Sequence, residues 1–137
     1  MIRSYKDSDY DQIRKLYQCT EWYGGVFDEA RDGRERLKKV VEADPEAIVV
    51  YEENGKLRAT ISTIEDGRVA MPYRFVVAPG DAEIAKSLYE KASDTLSSRG
   101  HTQILVYSAT NSLELDSRYI SLGMNRGGDH ACFWADI

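Results

Sequence analysis

The sequence is poor in the residues that build metal sites and disulfide frameworks. It has two cysteines and two histidines among 137 residues. Cys19 and Cys132 lie far apart in the chain, and two cysteines make neither a disulfide framework nor a metal cluster. His101 and His130 are isolated, without a cysteine or carboxylate at ligand spacing. We therefore expect no metal site and a reducing, cytoplasmic environment.

The sequence also lacks an excess of positive charge and long apolar runs. Its net charge is −5 and its isoelectric point is near 5.1, which argues against general nucleic-acid binding because that requires a dense basic face. No apolar run approaches the roughly 20 residues of a membrane-spanning helix. The N-terminal residues are charged from Arg3 onward, unlike a signal peptide. We therefore expect neither nucleic acid nor membrane as a partner.

The sequence does contain enough apolar material for one packed domain. Hydrophobic residues make up 42% of the chain, which is typical of a globular protein rather than a disordered one. A length of 137 residues fits a single core. We find no internal repeat and no low-complexity segment, so we expect one domain over residues 1–137.

The first third of the chain shows one short strand and two helical patterns. Ile2–Tyr5 is a possible strand, and Ser8 or Asp9 after it is a suitable N-cap for a helix that continues through Tyr17. Apolar residues at helical spacing then predict a second helix over Asp28–Glu42, which a proline soon ends.

The middle of the chain changes to a period of two, which predicts three consecutive strands. The expected strands are Ala47–Tyr51, Leu57–Ile64 and Val69–Ala78. Asn54-Gly55 and Asp66-Gly67 between them are typical of hairpin turns. Pro72 lies inside the third strand, so we expect a bulge or an irregular entry there rather than a regular ladder.

The last part of the chain alternates helix and strand. The predicted elements are a helix over Ile84–Leu96, a strand over Gln103–Tyr107, a helix over Leu113–Leu122 and a strand over Ala131–Ala135. The whole order is β-α-α-β-β-β-α-β-α-β, which predicts a mixed α/β (α+β) fold: one mixed central sheet with helices on both faces.

Three strings of the sequence also carry a resemblance to a known superfamily. IRSYKDSDYDQIRKLY has the form of an opening strand and helix, and AIVVYEENGKLRATISTIEDGRVAMPYRFVVAP that of a three-strand meander. SRYISLGM, residues 117–124, has a tyrosine followed four residues later by glycine. Together they resemble the GNAT superfamily of acyl-CoA-dependent N-acetyltransferases. The resemblance covers nearly the whole chain and implies the GNAT fold with acetyl-CoA as cosubstrate.

The resemblance implies how acetyl-CoA would be held. In this superfamily the strand that ends near Val77 splays from the next one, and the gap pairs with the pantetheine arm as an added strand would. A backbone N–H in the Val76/Val77 region would face the thioester oxygen. The N-terminus of the helix from Ala82 would hold the pyrophosphate. The implied cofactor-binding residues are Phe75, Val76, Val77, Ala82, Glu83, Ile84, Ala85, Lys86, Asn111 and Ser112.

The resemblance also implies a general acid and leaves the general base open. Tyr119 would protonate the leaving thiolate, because a phenol pKa of about 10 lies close to a thiol pKa of about 8.5. The alternative for Tyr119 is a core tyrosine that packs the last helix. Members often carry a glutamate near the place of Met71, whereas Glu65 and Asp66 are expected to be solvent-facing turn residues. A water-relayed base, or an amine that arrives neutral, remains open.

The turn PGDAEIAK departs from the superfamily pattern. Glu83 stands where members usually have a glycine, and its charge would repel a phosphate. Asp81 is an N-cap residue type whose carboxylate can accept the first helical N–H bonds. Lys86, Arg99 or Arg126 are candidate compensating cations. The alternative reading is therefore a GNAT-fold protein that acts as a binding or regulatory module without acetyl-CoA turnover.

The resemblance also implies an acceptor site between the first two helices, at the string EWYGGVF. Trp22, Tyr23 and Phe27 would form an aromatic wall for the substrate, or alternatively a lid on the core. Tyr73 and Arg74 are further substrate candidates, and in a regular strand one of them must point each way. The expected acceptor is a primary amine of a small molecule or peptide. A homodimer paired through an exposed strand edge is also open.

Overall fold

The computed structural model describes residues 1–19, 27–78, 80–109 and 112–137. These residues fall into two units, residues 1–106 and residues 107–137. Within the described ranges the first unit holds a four-stranded sheet and four α-helices, and the second holds one helix. None of the described helices is long and apolar enough to cross a membrane.

The elements occur along the chain in the predicted order, apart from the last two predicted strands. The first unit contains β1 (Ile2–Ser4), α1 (Tyr10–Cys19), α2 (Glu29–Asp32), α3 (Arg34–Ala43), β2 (Ile48–Glu53), β3 (Lys56–Glu65), β4 (Ala70–Val77) and α4 (Ala82–Ser98). The second unit contains α5 (Leu113–Ser121).

Two tight turns join the three central strands, as the sequence predicts. Asn54 and Gly55 have φ values of 51° and 75°, the left-handed pair that a two-residue hairpin turn needs. Gly67, in the second turn, has a φ of 82°. The sheet order is β1-β2-β3-β4 and every neighbouring pair is antiparallel. The predicted meander is therefore confirmed.

Helices cover both faces of this sheet. Because side chains alternate along a strand, Val50 and Val49 of β2 face opposite sides. Val50 belongs to the apolar core that also contains Ile13 of α1 and Leu37 of α3. On the other side, α4 contacts β2, β3 and β4 and buries its apolar stripe, which includes Leu88. The predicted class, a sheet with helices on both faces, is confirmed.

The predicted second helix is divided at Gly33. Here the backbone is extended, with φ −64° and ψ 152°, so α2 ends at Asp32 and α3 begins at Arg34. A Cβ at Gly33 would lie 2.5 Å from the Glu29 carbonyl oxygen, closer than any side chain allows. The sequence predicts one helix because the helical spacing continues on both sides of the break.

The last two predicted strands are not part of the sheet in the described residues. In 103–107, the Leu105 N–H donates to the Ala70 carbonyl at 3.0 Å, which places this segment beside the start of β4. In a parallel ladder the next donor would be residue 72, and Pro72 has no N–H. In the segment 131–135, the Phe133 side chain is 92% exposed. This segment has the composition of a strand, but it pairs with no strand in the described residues.

Candidate functional site

β4 contains one residue more than the stretch of β3 that it faces. Ile61 pairs with Phe75, whereas Thr63, two residues on, pairs with Pro72, three residues back. The extra residue falls between Pro72 and Phe75 and makes a β-bulge, which confirms the irregularity that the proline predicts. One extra residue shifts the alternation of the strand by one. Each following residue therefore directs its backbone N–H and C=O to the edge opposite the one that it would face without the bulge.

After the bulge, Phe75 and Val77 direct their backbone groups away from β3. The Ala78 N–H donates to the Arg58 carbonyl of β3 at 3.1 Å. Val76, two residues earlier, therefore also faces β3, and its two neighbours face the opposite edge. The resemblance implies that Phe75, Val76 and Val77 all bind the cofactor. In the strand, Val76 directs its backbone groups to β3, whereas Phe75 and Val77 direct theirs to the outer edge.

This outer edge of β4 is paired at one end only. At the start of the strand, the Ala70 carbonyl accepts the bond from Leu105. At the other end, the N–H and C=O of Val77 bond to no residue in the described part of the chain. Unpaired backbone groups at a strand edge can bind an extended ligand as an added strand.

The turn after β4 directs the Asp81 carboxylate away from the helix that it begins. Gly80 has a φ of 87°, which favours glycine, and Asp81 is the N-cap residue of α4. The Asp81 side chain makes no capping hydrogen bond. Its Oδ2 instead accepts a bond from Arg58 Nη2 at 2.7 Å. The expectation that Asp81 caps this helix is therefore wrong, because a cation on the neighbouring strand binds the carboxylate.

The first turn of α4 consequently keeps backbone donors for a ligand. The N–H groups of Ala82 and Ile84 donate to no described acceptor. The Ala85 N–H is already bonded to the Asp81 carbonyl at 3.0 Å. A helix of 17 residues also places the positive end of its dipole here. The N–H groups of Ala82 and Ile84 are thus available to an anion.

The side chains around this turn carry both signs of charge. Glu83 is exposed, and Lys86 Nζ lies 4.0 Å from Glu90 Oε1 on the same exposed face. Arg99 does not compensate Glu83, because it lies at the opposite end of α4 and bonds to Asp44. Arg126 has acidic partners, two aspartates, within its own unit.

Arg58 is the charged residue of this site that sequence reasoning misses. It lies on β3 opposite Ala78, and its Nη1 is also 3.4 Å from Glu53 Oε2. The available signal is the Asp66-Gly67 turn, which joins β3 to β4. Counting the ladder back from that turn brings residue 58 close to the end of β4.

No described carboxylate takes the place of the missing base on β4. Glu65, the nearest candidate in sequence, accepts a bond from His101 Nε2 at 2.6 Å and one from Arg99 Nη1 at 3.1 Å. These bonds, the one with His101 first, lower the pKa of Glu65. A carboxylate with two such partners and a lowered pKa is a poor proton acceptor.

Tyr73 and Arg74 lie on the same side of β4. The Arg74 guanidinium lies 4.7 Å from the centre of the Tyr73 ring and 5.8 Å from that of Tyr17 on α1. Arg74 also forms a buried ion pair with Asp32 of α2. The expectation that the two side chains point to opposite faces is wrong, because the bulge interrupts the alternation of the strand.

The second unit contains the predicted acid and one predicted cofactor residue. Ser112 is the N-cap of α5, and its hydroxyl accepts a bond from the Leu115 N–H at 3.3 Å. Tyr119 lies in the last turn, where its carbonyl accepts the N–H groups of Leu122 and Met124. Gly123, with a φ of 89°, ends this turn as predicted. Trp22, Tyr23 and Asn111 lie outside the described residues.

Comparison with known proteins identifies this fold. No protein-family profile matches the sequence, and no curated protein matches it significantly. By contrast, 112 chains of solved structures match. One is glucosamine-6-phosphate N-acetyltransferase from Arabidopsis thaliana, with a TM-score of 0.75 and 21% identity over 99% of this chain and 98% of that chain.

Two further matches have related activities. Aminoglycoside antibiotic 6′-N-acetyltransferase from Acinetobacter haemolyticus has a TM-score of 0.74 and 14% identity, over 100% of this chain and 99% of that chain. Ribosomal-protein-S18-alanine N-acetyltransferase from Escherichia coli has a TM-score of 0.69 and 20% identity, over 93% of this chain and 79% of that chain. The chain has the fold of the GNAT N-acetyltransferases.

Proposed function

We propose that the protein is an N-acetyltransferase that transfers an acetyl group from acetyl-CoA to a primary amine. The observation that carries the proposal is the set of backbone groups, at the end of β4 and in the first turn of α4, that bond to no described residue. Past the bulge, Val77 presents unpaired backbone groups, and a few residues later Ala82 and Ile84 present unpaired N–H groups. An extended arm that ends in a pyrophosphate matches this order of donors.

Each of these groups has a role in the proposal. The backbone of Val77 would pair with a pantetheine amide, and a backbone N–H of the Val76/Val77 region would stabilise the developing oxyanion. Ala82 and Ile84 would donate to the pyrophosphate, with Lys86 as a nearby cation. Glu83 opposes the same anion and would limit the affinity.

The chemistry proposed is direct attack of the amine on the thioester. The amine nitrogen bonds to the acetyl carbon and the carbon–sulfur bond breaks. Tyr119 would give its proton to the departing thiolate, and the proton that the attacking nitrogen loses would return through water to the Tyr119 phenolate. Because no described carboxylate is positioned as a base, we propose that the amine binds in its neutral form.

The acceptor proposed is a small molecule or a peptide with a primary amine. The matching structures are named for glucosamine 6-phosphate, aminoglycoside and ribosomal-protein-alanine acetylation, and each of these acceptors offers such a group. Tyr73 remains the proposed contact on β4. A cytoplasmic location and a homodimer remain predictions from the sequence.

Isothermal titration with acetyl-CoA tests the proposal. We expect saturable heat and a rise in Tm when acetyl-CoA is added. We also expect CoA to be released when glucosamine 6-phosphate or a peptide with an N-terminal alanine is then added. No heat and no shift in Tm at millimolar acetyl-CoA would reject the proposal. That result would favour the alternative of a binding or regulatory module without acetyl-CoA turnover. One argument for this alternative was that the Asp81 carboxylate occupies the helix donors, and that carboxylate is bound by Arg58 instead.

A further inference from the structure

A buried ion pair joins the β4 bulge to α2. Arg74 Nε donates to Asp32 Oδ1 at 2.9 Å, and Arg74 Nη2 donates to Asp32 Oδ2 at 2.6 Å. The two side chains are only 3% and 1% exposed. Two parallel bonds fix the orientation of the guanidinium as well as its distance. This pair therefore constrains the backbone that carries Arg74.

The Asp32 side of the pair is itself held in place. Asp32 Oδ2 also accepts the Asp28 N–H at 2.9 Å, at the start of α2. Gly33 follows directly and packs against the Glu29 carbonyl more closely than any residue with a Cβ could. The carboxylate is thus bound to a turn that has little freedom to move, and it gives Arg74 a fixed anchor.

The Arg74 side of the pair lies within the bulge. Arg74 falls in the interval where β4 has its extra residue, and its guanidinium lies beside the rings of Tyr73 and Tyr17. The bulge decides that Phe75 and Val77, rather than Val76, face the outer edge. The anchor therefore lies three residues before Val77, whose backbone N–H and C=O bond to no described residue.

We propose that the Asp32–Arg74 ion pair is a positioning element, which holds the β4 bulge in the register that turns Phe75 and Val77 to the outer edge. The proposal rests on the proposed function in one respect, since it takes acetyl-CoA as the ligand of that edge. Arg74 would then influence cofactor binding through the backbone of β4, instead of contacting the acceptor as the sequence suggests.

The test compares the double variant Asp32→Leu/Arg74→Met with wild type. Removing both charges together avoids leaving one charge buried without its partner, which is the strongly destabilising case. We expect a folded protein in which acetyl-CoA binds at least tenfold more weakly. We also expect the Val76 and Ala78 amides, which face β3, to exchange with solvent at least tenfold faster. Arg68→Met, which breaks the exposed Asp66–Arg68 pair near the start of β4, is the matched control and should change neither quantity.

The amide exchange separates this inference from the proposed function. If wild type does not bind acetyl-CoA, the proposed function fails, and unchanged exchange in the double variant would separately overturn the positioning role. If wild type binds, a double variant with affinity within twofold and unchanged exchange overturns it too. If the double variant does not fold, Arg74→Lys is tested in its place. Lysine keeps the positive charge but cannot donate the two parallel hydrogen bonds to Asp32. Arg74→Lys should weaken binding about threefold and speed the same two amides, and wild-type behaviour in both would refute the role.

Discussion

The Arg58–Asp81 ion pair gives the sharpest prediction about acetyl-CoA affinity. In wild type, Arg58 binds the Asp81 carboxylate at 2.7 Å and keeps it off the helix that begins at Ala82. Arg58→Gln removes that cation and releases Asp81 to cap the helix. The variant therefore loses a positive charge near the proposed pyrophosphate and adds a competitor for its donors, so we expect weaker binding.

The size of the effect follows from the charges involved. A carboxylate about 6 Å from a phosphate costs roughly 2–3 kcal/mol at an effective dielectric constant near 20. The Arg58 and Asp81 side chains are 39% and 21% exposed, so solvent screens part of this energy. About half of it remains, which corresponds to an affinity roughly tenfold lower.

Titration calorimetry on a mutant cycle checks this reasoning. Arg58→Gln should raise the Kd for acetyl-CoA about tenfold, and Asp81→Ala should lower it severalfold because Arg58 is then left for the ligand. The double variant should return to within about threefold of wild type. Glu53→Gln, which removes the other carboxylate near Arg58, serves as control and should change the Kd less than twofold. An unchanged Kd in Arg58→Gln, or weaker binding in Asp81→Ala, would refute the account of this turn.

Three further predictions address the helix charge, the acid and the stability of the fold. Glu83→Gln should tighten acetyl-CoA binding about threefold by calorimetry, because one exposed charge no longer repels the phosphates; looser binding would contradict this. Tyr119→Phe should lower kcat about 100-fold while the Kd for acetyl-CoA stays unchanged, and an unaltered kcat would exclude Tyr119 as the acid. Arg99 lowers the pKa of Asp44 by bonding to its carboxylate. The stability that this pair adds is complete above the unfolded-state pKa of about 4 and is lost as the pH falls through the lower folded-state pKa. Arg99→Met should therefore lower Tm by a few degrees at pH 7 and much less at pH 3, and equal losses at both pH values would argue against the pair.

The sequence predicts best those features that depend on neighbours in the chain. Asn54-Gly55 and Gly67 specify the two hairpins because the residues that need left-handed dihedrals are the residues present. Pro72 indicates the bulge because proline cannot donate to a ladder. The amphipathic spacing around Leu88 likewise identifies α4 and the face that it buries.

Features that depend on distant residues are not accessible in the same way. Asp81 has the residue type of an N-cap, and only the position of Arg58, 23 residues earlier, shows that its carboxylate is engaged elsewhere. Asp32 and Arg74 are 42 residues apart, and no local pattern marks either as a partner. Pairings of this kind arise when the sheet and α2 are packed, so the register must be known first.

The same distinction explains why the segment 103–107 does not form the predicted strand beside β4. The segment 103–107 has the apolar composition of a strand and does lie next to β4, where Leu105 bonds to Ala70. Whether a ladder continues depends on the partner residue, which is Pro72. Composition describes the segment alone and carries no information about the strand that it meets.

The central claim, that acetyl-CoA binds along the outer edge of β4 and the start of α4, is tested most directly by backbone amide NMR during titration with acetyl-CoA. The account predicts that the largest shift changes fall on Val77, Ala82 and Ile84, with smaller changes at Val76, which faces β3. Saturable binding with the largest changes elsewhere, or no changes at these three amides, would contradict it.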